Sequence, residues 1–182
     1  RGLLAGRDAL GPELERRVDE VLAKEPTRAG RLQALFALAA RDVRYVGLEF
    51  GLGGYQPRPP EQVWANRYGD CKDKATLLKA LLARAGLRSH LALVNTEHAG
   101  RLESAAPSES QFDHVILAVA GPDGGYLFCD PTIGWGRPGL LSPGDGDREV
   151  LVLREEGWEL ARTPAGDSGE LAYSFDLELG AD

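Results

Sequence analysis

Residues 68–87 read YGDCKDKATLLKALLARAGL. They hold the strongest helix signal in the chain and one of its two cysteines. Asp70 is suited to the N-cap, because its carboxylate can accept a bond from an otherwise orphan backbone N–H. Asp73 falls at the third helical position, where an acidic side chain reaches back as in a capping box. Gly86 is the natural terminator, able to adopt the left-handed conformation just past the helix. Between these ends Ala75, Leu78, Leu82 and Ala85 recur at helical spacing, and Leu77 and Leu81 widen the stripe. Cys71 lies four residues before Ala75, at the N-terminal end of the buried face. A shift of the helix start by one residue turns the thiol by about 100°.

That position has a chemical meaning. The positive end of a helix dipole favours a thiolate over a thiol, and Lys72 and Lys74 add positive charge nearby. A thiolate at a helix N-terminus, packed against a sheet, is one way a cysteine enzyme makes a nucleophile. The plain alternative is a small buried residue that fills space.

Outward from this helix the period changes. On its N-terminal side, residues 11–25 read as a helix with Leu14, Val18, Val21 and Leu22 on one face, closed by Pro26. A second helix starts near Thr27 and carries Leu32, Leu35, Phe36 and Ala39. Val43 to Phe50 is extended. Gly51 to Pro60 is a loop holding Tyr55 and Gln56, and Pro59 and Pro60 open a short helix through Val63 and Trp64. On the C-terminal side, alternation replaces the helical period. Ser89 to Thr96 is a strand, 97–111 a polar surface loop, and Phe112 to Ala120 a strongly apolar strand. The Gly121–Gly125 turn joins it to a strand from Tyr126 to Asp130, making a β-hairpin. Residues 136–148 form a Gly/Pro/Asp loop, and Glu149 to Leu153 is a short strand. Helices followed by strands predict an α+β domain, with helices packed on one side of an antiparallel sheet. That domain is assigned to 1–162. Residues 163–170 read as a linker, and 171–179 alternate as a half-buried strand. This last strand either adds to the sheet or begins a further C-terminal domain, and the linker before it favours the second.

Composition narrows the function. The chain has 182 residues, 43% hydrophobic and 27% charged, with a net charge of −7. No basic cluster offsets that charge, which argues against a nucleic-acid surface. No apolar run reaches the length of a membrane span. The sequence holds no methionine and begins at Arg1, and is read as a piece of a longer protein. Two cysteines cannot build a disulfide scaffold. If 126–130 is a strand, side chains 129 and 130 point to opposite faces; with Asp130 toward the Cys71 helix, Cys129 faces away and no Cys71–Cys129 bridge is expected. No CxxC, HxxxH or calcium-loop motif is present, so neither metal nor cofactor is expected. Asp145 and Asp147 in the glycine-rich loop read as a solvated turn.

A cysteine nucleophile needs a base, and the base an orienting group. Of three histidines, His98 sits in a polar loop and His90 opens a strand. His114 lies on the most apolar strand, where a polar residue demands an explanation. Asp130 ends the neighbouring strand and is placed to take the far ring N–H of His114. Taken singly, His114 reads equally as a satisfied core histidine, and Asp130 as a turn residue before Pro131. Together with Cys71, in helix–strand–strand order, they form a candidate triad.

On the segments RYVGLEFGLGGYQP (44–57), RYGDCKDKATLLKALLARAGL (67–87), LVNT (93–96), FDHVIL (112–117) and CDPT (129–132), the chain resembles the transglutaminase-like superfamily, which shares its core with papain-type cysteine proteases. More narrowly, it resembles bacterial transglutaminase-like domains that follow a large N-terminal β-rich domain of unassigned function. The resemblance implies Cys71 as nucleophile, His114 as base and Asp130 as orienting acid. It also implies that the segment from 171 leads into another domain of the parent chain. The oxyanion hole is expected to use the Cys71 backbone N–H. Gln56, with Trp64 behind it, is the candidate side-chain donor, and reads equally as a solvated loop residue. The expected activity is cysteine-dependent acyl transfer or hydrolysis at amide bonds of a peptide or protein. Hydrolysis is favoured over transamidation because it needs no second substrate site. The competing reading is a non-catalytic peptide-binding or assembly module that keeps the cleft. Relatives of this kind are often exported, which points to a periplasmic or extracytoplasmic setting.

Overall fold

The computed structural model describes residues 6–47, 56–96, 102–103 and 108–166. The helices come first, as the change of period predicts. Pro12 at its first position opens α1 (Pro12–Lys24), which buries Leu14 and Val18. In α2 (Arg28–Arg41) the Thr27 side chain caps Gly30 N, and Leu32, Leu35, Phe36 and Ala39 are buried. The short α3 (Pro60–Asn66) starts at the expected prolines and buries Val63 and Trp64. Helix α4 (Cys71–Arg84) carries the full capping box between Asp70 and Asp73. It stops before Gly86, whose φ of +73° is the left-handed conformation expected there.

A pair of two-residue strands, one after α2 and one before α4, matters for where α4 begins. Strand β1 (Arg44–Tyr45) pairs in parallel with β2 (Tyr68–Gly69), and β2 runs straight into the Asp70 cap. Gly69 is required there, because a Cβ on it would stand 2.8 Å from Asp73 Cβ.

Helix α4 is central. It packs on α1, α2 and α3 and on two strands of the sheet. The one-sided stripe expected from the sequence is therefore too narrow. Lys72, Asp73, Lys74 and Thr76 are buried along with the apolar residues. Their burial is tolerable because three of them are paired, as described below. Leu77, Leu78, Leu81 and Leu82 are fully enclosed, each contributing about 1.5–3 kcal/mol of burial.

The sheet is antiparallel throughout. It consists of β3 (Ser89–Val94), β4 (His114–Ala120), β5 (Tyr126–Cys129), β6 (Glu149–Leu153) and β7 (Trp158–Arg162), in the order β5-β4-β3-β6-β7. The β4–β5 hairpin is as expected, while β7 was not anticipated. Leu91, Leu117, Val119 and Cys129 face the helices. Ala92, Val94, Ile116, Ala118, Phe128, Val150 and Val152 face the other way, under Leu141 of the loop between β5 and β6. This is the α+β architecture expected, with the cysteine-bearing helix on an antiparallel sheet.

One inference from alternation is reversed. Cys129, expected to face away from the helices, lies in the helix-side core. Asp130 follows the last residue of β5 and by alternation takes the opposite side. Both cysteines are nevertheless free. The segment 171–179, the latter part of the linker, Tyr55 and His98 lie outside the described residues. Thr163, the first residue of that linker, is buried, and its hydroxyl donates to Asp145 O at 2.6 Å.

Candidate active site

Three elements end at one rim of the sheet. Helix α4 starts there with Cys71, β4 starts there with His114, and Asp130 follows β5 there. By alternation His114 shares the face of Ile116 and Ala118, as Asp130 shares that of Phe128. At the rim they still reach the helix start, because no further strand residue separates them from it.

His114 Nε2 lies 3.3 Å from Asp130 Oδ2, and Cys71 is near enough for its side chain to help raise the pKa of the ring. With Nε2 engaged by Asp130, Nδ1 is the nitrogen left for the thiol. Asp130 is 2% exposed. Its other oxygen, Oδ1, accepts from Thr132 N at 2.8 Å and from Thr132 Oγ1 at 2.7 Å. The two sequence readings of Asp130 are thus both realised, one by each oxygen: a turn residue and a histidine partner. Thr132 was not singled out, although the DPT segment carries it.

The electrostatics follow from these contacts. Burial alone would lower the His114 pKa. The side chains of Asp130 and Cys71, joined by the charges of Asp130 and Asp145, outweigh it and carry the ring up to about 10. Burial also works against the Asp130 carboxylate, but His114 and Thr132 hold it below its ordinary range.

The helix start is fixed by paired charges. Asp70 Oδ1 accepts from Asp73 N at 3.1 Å, and Asp70 Oδ2 bonds Lys72 Nζ. Asp73 in turn accepts from Arg58 N at 2.7 Å and from Arg58 Nη1 at 3.2 Å. Lys74 is fully buried, and its ammonium bonds the carbonyls of Ala40 and Val43. Burial lowers its pKa to about 8, with Asp130 pulling the other way. Lys72 and Lys74 therefore act first as buried struts, not as a surface field around the thiol.

Gln56 is half-buried, two residues before Arg58, which ties that segment to the first turn of α4. Trp64 is buried, with its indole N–H donated to Glu13 at 2.9 Å. Asp145, read from sequence as part of a solvated turn, is 1% exposed. His114, Asp130 and Asp145 each place one donor atom within 4.8 Å of the others, a spacing that metal ligands also adopt. Asp147 is the exposed member of that loop, paired with Arg162 at 2.8 Å. His90 lies elsewhere. It lines a cleft of about 590 Å³ with Arg88, Arg154, Glu155 and Glu156, which no triad residue lines.

No family model and no curated protein matches the chain. Solved structures do. A proposed protease from Parabacteroides distasonis superposes on 88% of this chain with a TM-score of 0.67 and 17% identity, the match spanning 30% of that protein. A proposed cysteine protease from Cytophaga hutchinsonii superposes on 70% of this chain with a TM-score of 0.51 and 17% identity, spanning 39% of its own length. The chain thus spans well under half of either relative. At these identities the likeness is one of fold alone.

Proposed function

We propose that this domain performs cysteine-dependent acyl transfer or hydrolysis at amide bonds, with Cys71 as nucleophile, His114 as its acid–base partner and Asp130 as the orienting acid. The observation that carries this reading is that His114, bonded to Asp130, has Cys71 as its other neighbour at the open end of α4. A space-filling cysteine has no need of it.

His114 is the base placed to take the thiol proton as the sulfur attacks. Asp130 holds Nε2 and fixes the ring so that Nδ1 faces Cys71. The sulfur attacks the amide carbonyl, and the oxyanion takes the backbone N–H of Cys71, one of the first-turn donors without an intrahelical acceptor. Gln56 is the side-chain donor we assign to the same oxygen, its segment being tied to α4 through Arg58. The imidazolium then protonates the leaving amine, the C–N bond breaks, and a thioester remains on Cys71. Water attacking the thioester completes hydrolysis, with His114 taking its proton. An amine in place of water completes transamidation. Hydrolysis is the simpler outcome, since it requires only one substrate site. A peptide or protein amide is the substrate class that this chemistry serves.

The test is to trap the acyl-enzyme. Incubation with an activated ester such as p-nitrophenyl acetate is expected to add one acetyl group to Cys71, seen by mass spectrometry of the peptides and removed by hydroxylamine. His114→Ala is expected to abolish the adduct. Equal acetylation of Cys71 in wild type and His114→Ala would overturn the assignment.

A further inference from the structure

The loop between β5 and β6 brings a second carboxyl group to His114. Asp145 is 1% exposed, and its Oδ2 accepts from Ser142 Oγ at 2.7 Å. Its other oxygen, Oδ1, is buried without a hydrogen-bond partner among the described residues. A buried polar atom left in that state is destabilising, the more so when charged, so its placement calls for a reason. The loop holds it there. Asp145 N bonds Ser142 O at 3.0 Å, the Asp145 carbonyl accepts from Thr163 Oγ1 at 2.6 Å, and Arg148 Nε bonds the adjacent Gly144 carbonyl at 2.8 Å. What it is held against is the candidate triad, within 4.8 Å of the His114 ring nitrogen and the Asp130 oxygen.

We propose that Asp145 is a positioning residue for His114, a second carboxyl partner that shares the imidazolium with Asp130 and keeps the ring charged. This rests on the triad reading given above. The titratable groups that act on the ring are Cys71 from α4, Asp130 after β5 and Asp145 itself, with Lys74 of α4 acting on Asp130. Lys74, a cation committed to two backbone carbonyls, does not hold a positive ring; Asp130, Cys71 and Asp145 all do. The effects are mutual. Asp145 draws His114 upward, while burial, together with the charge of Asp130, draws the Asp145 carboxyl up and His114 opposes them. One acid bonded to the ring and a second facing it give the proton two places near the ring to settle. Asp145→Asn removes the charge while keeping the shape and the Ser142 contact.

The experiment is an NMR titration of the His114 imidazole, assigned by loss of its signal in His114→Ala. It is paired with the pH profile of Cys71 carboxymethylation by iodoacetate, an anionic reagent whose reaction slows when the ring loses its charge. Asp145→Asn is expected to lower the titration midpoint by about one pH unit and to move the basic limb of the profile by the same amount, with an unchanged melting transition. Ser142→Ala, which removes the hydroxyl that favours the Asp145 carboxylate, is expected to shift both in the same direction by less. It carries the test alone if Asp145→Asn does not fold. An unmoved midpoint in the folded variants overturns the proposal. The ring titration is read without turnover, so a Cys71 that proves no more reactive than an ordinary thiol would count against the triad reading and not against the Asp145–His114 contact.

Discussion

The two cysteines are both buried, Cys71 at 4% and Cys129 at 0% exposure, yet they sit in opposite chemical settings. Cys129 is on a strand in the helix-side core, among leucines and valines. Burial pushes its thiol up to about 12, a backbone contact from Gly139 pulls back, and the charge of Asp130 adds to the rise. Cys71 opens a helix beside an imidazole that is bonded to its own acid. Enclosure is common to both, so it does not decide which thiol reacts. The polar partners do, and these are supplied by the ends of elements, where the helix dipole and the rim of the sheet coincide.

The largest expected effect on this contrast comes from Asp130→Asn. An amide N–H would then face Nε2 and force the ring proton onto the nitrogen that should serve Cys71. Acyl transfer is expected to fall by about 10²–10⁴-fold, measured as the rate of thioester formation. In wild type the same rate should hold at neutral pH and fall as pH rises through about 10, where His114 loses its proton. The sign follows from the direction of the shift: a raised histidine keeps its function below the folded-state value and loses it above.

Asp70→Ala comes next. It removes the N-cap and leaves the Lys72 ammonium, 8% exposed, without its carboxylate. Breaking one half of such a buried pair is expected to cost about 3–5 kcal/mol, read as a lower urea midpoint. Loss of the fixed helix start should also slow Cys71 relative to wild type at temperatures where the variant is folded. The smallest effect is expected from Cys129→Ala. It leaves a small cavity worth about 1 kcal/mol and should leave the reactivity of Cys71 unchanged.

The sequence made the helix ends and the hairpin legible because each is a local signal. Asp70, Asp73 and Gly86 act within a few residues of themselves, and the 112–130 hairpin closes through a five-residue turn. The candidate triad was legible for a related reason: each member stands at the end of a strongly patterned element. What could not be read depended on packing from a distance. Lys72 and Lys74 look like solvent-facing charges until Asp70, Ala40 and Val43 are brought to them. Strict alternation misplaced Cys129, because Asp130 was assigned to the helix side when it reaches the triad around the rim of the sheet. Asp145 resembles any Asp in a glycine-rich turn, and only the fold seals that turn over His114.

The most direct test of the account is competitive alkylation. Wild type and His114→Ala are treated with iodoacetamide near neutral pH, and Cys71 and Cys129 are followed separately by peptide mass spectrometry. The account predicts that Cys71 of wild type is modified rapidly and Cys129 scarcely at all, and that His114→Ala removes most of the Cys71 advantage. Cys71 reacting no faster than a free thiol, or equally fast without His114, would contradict it.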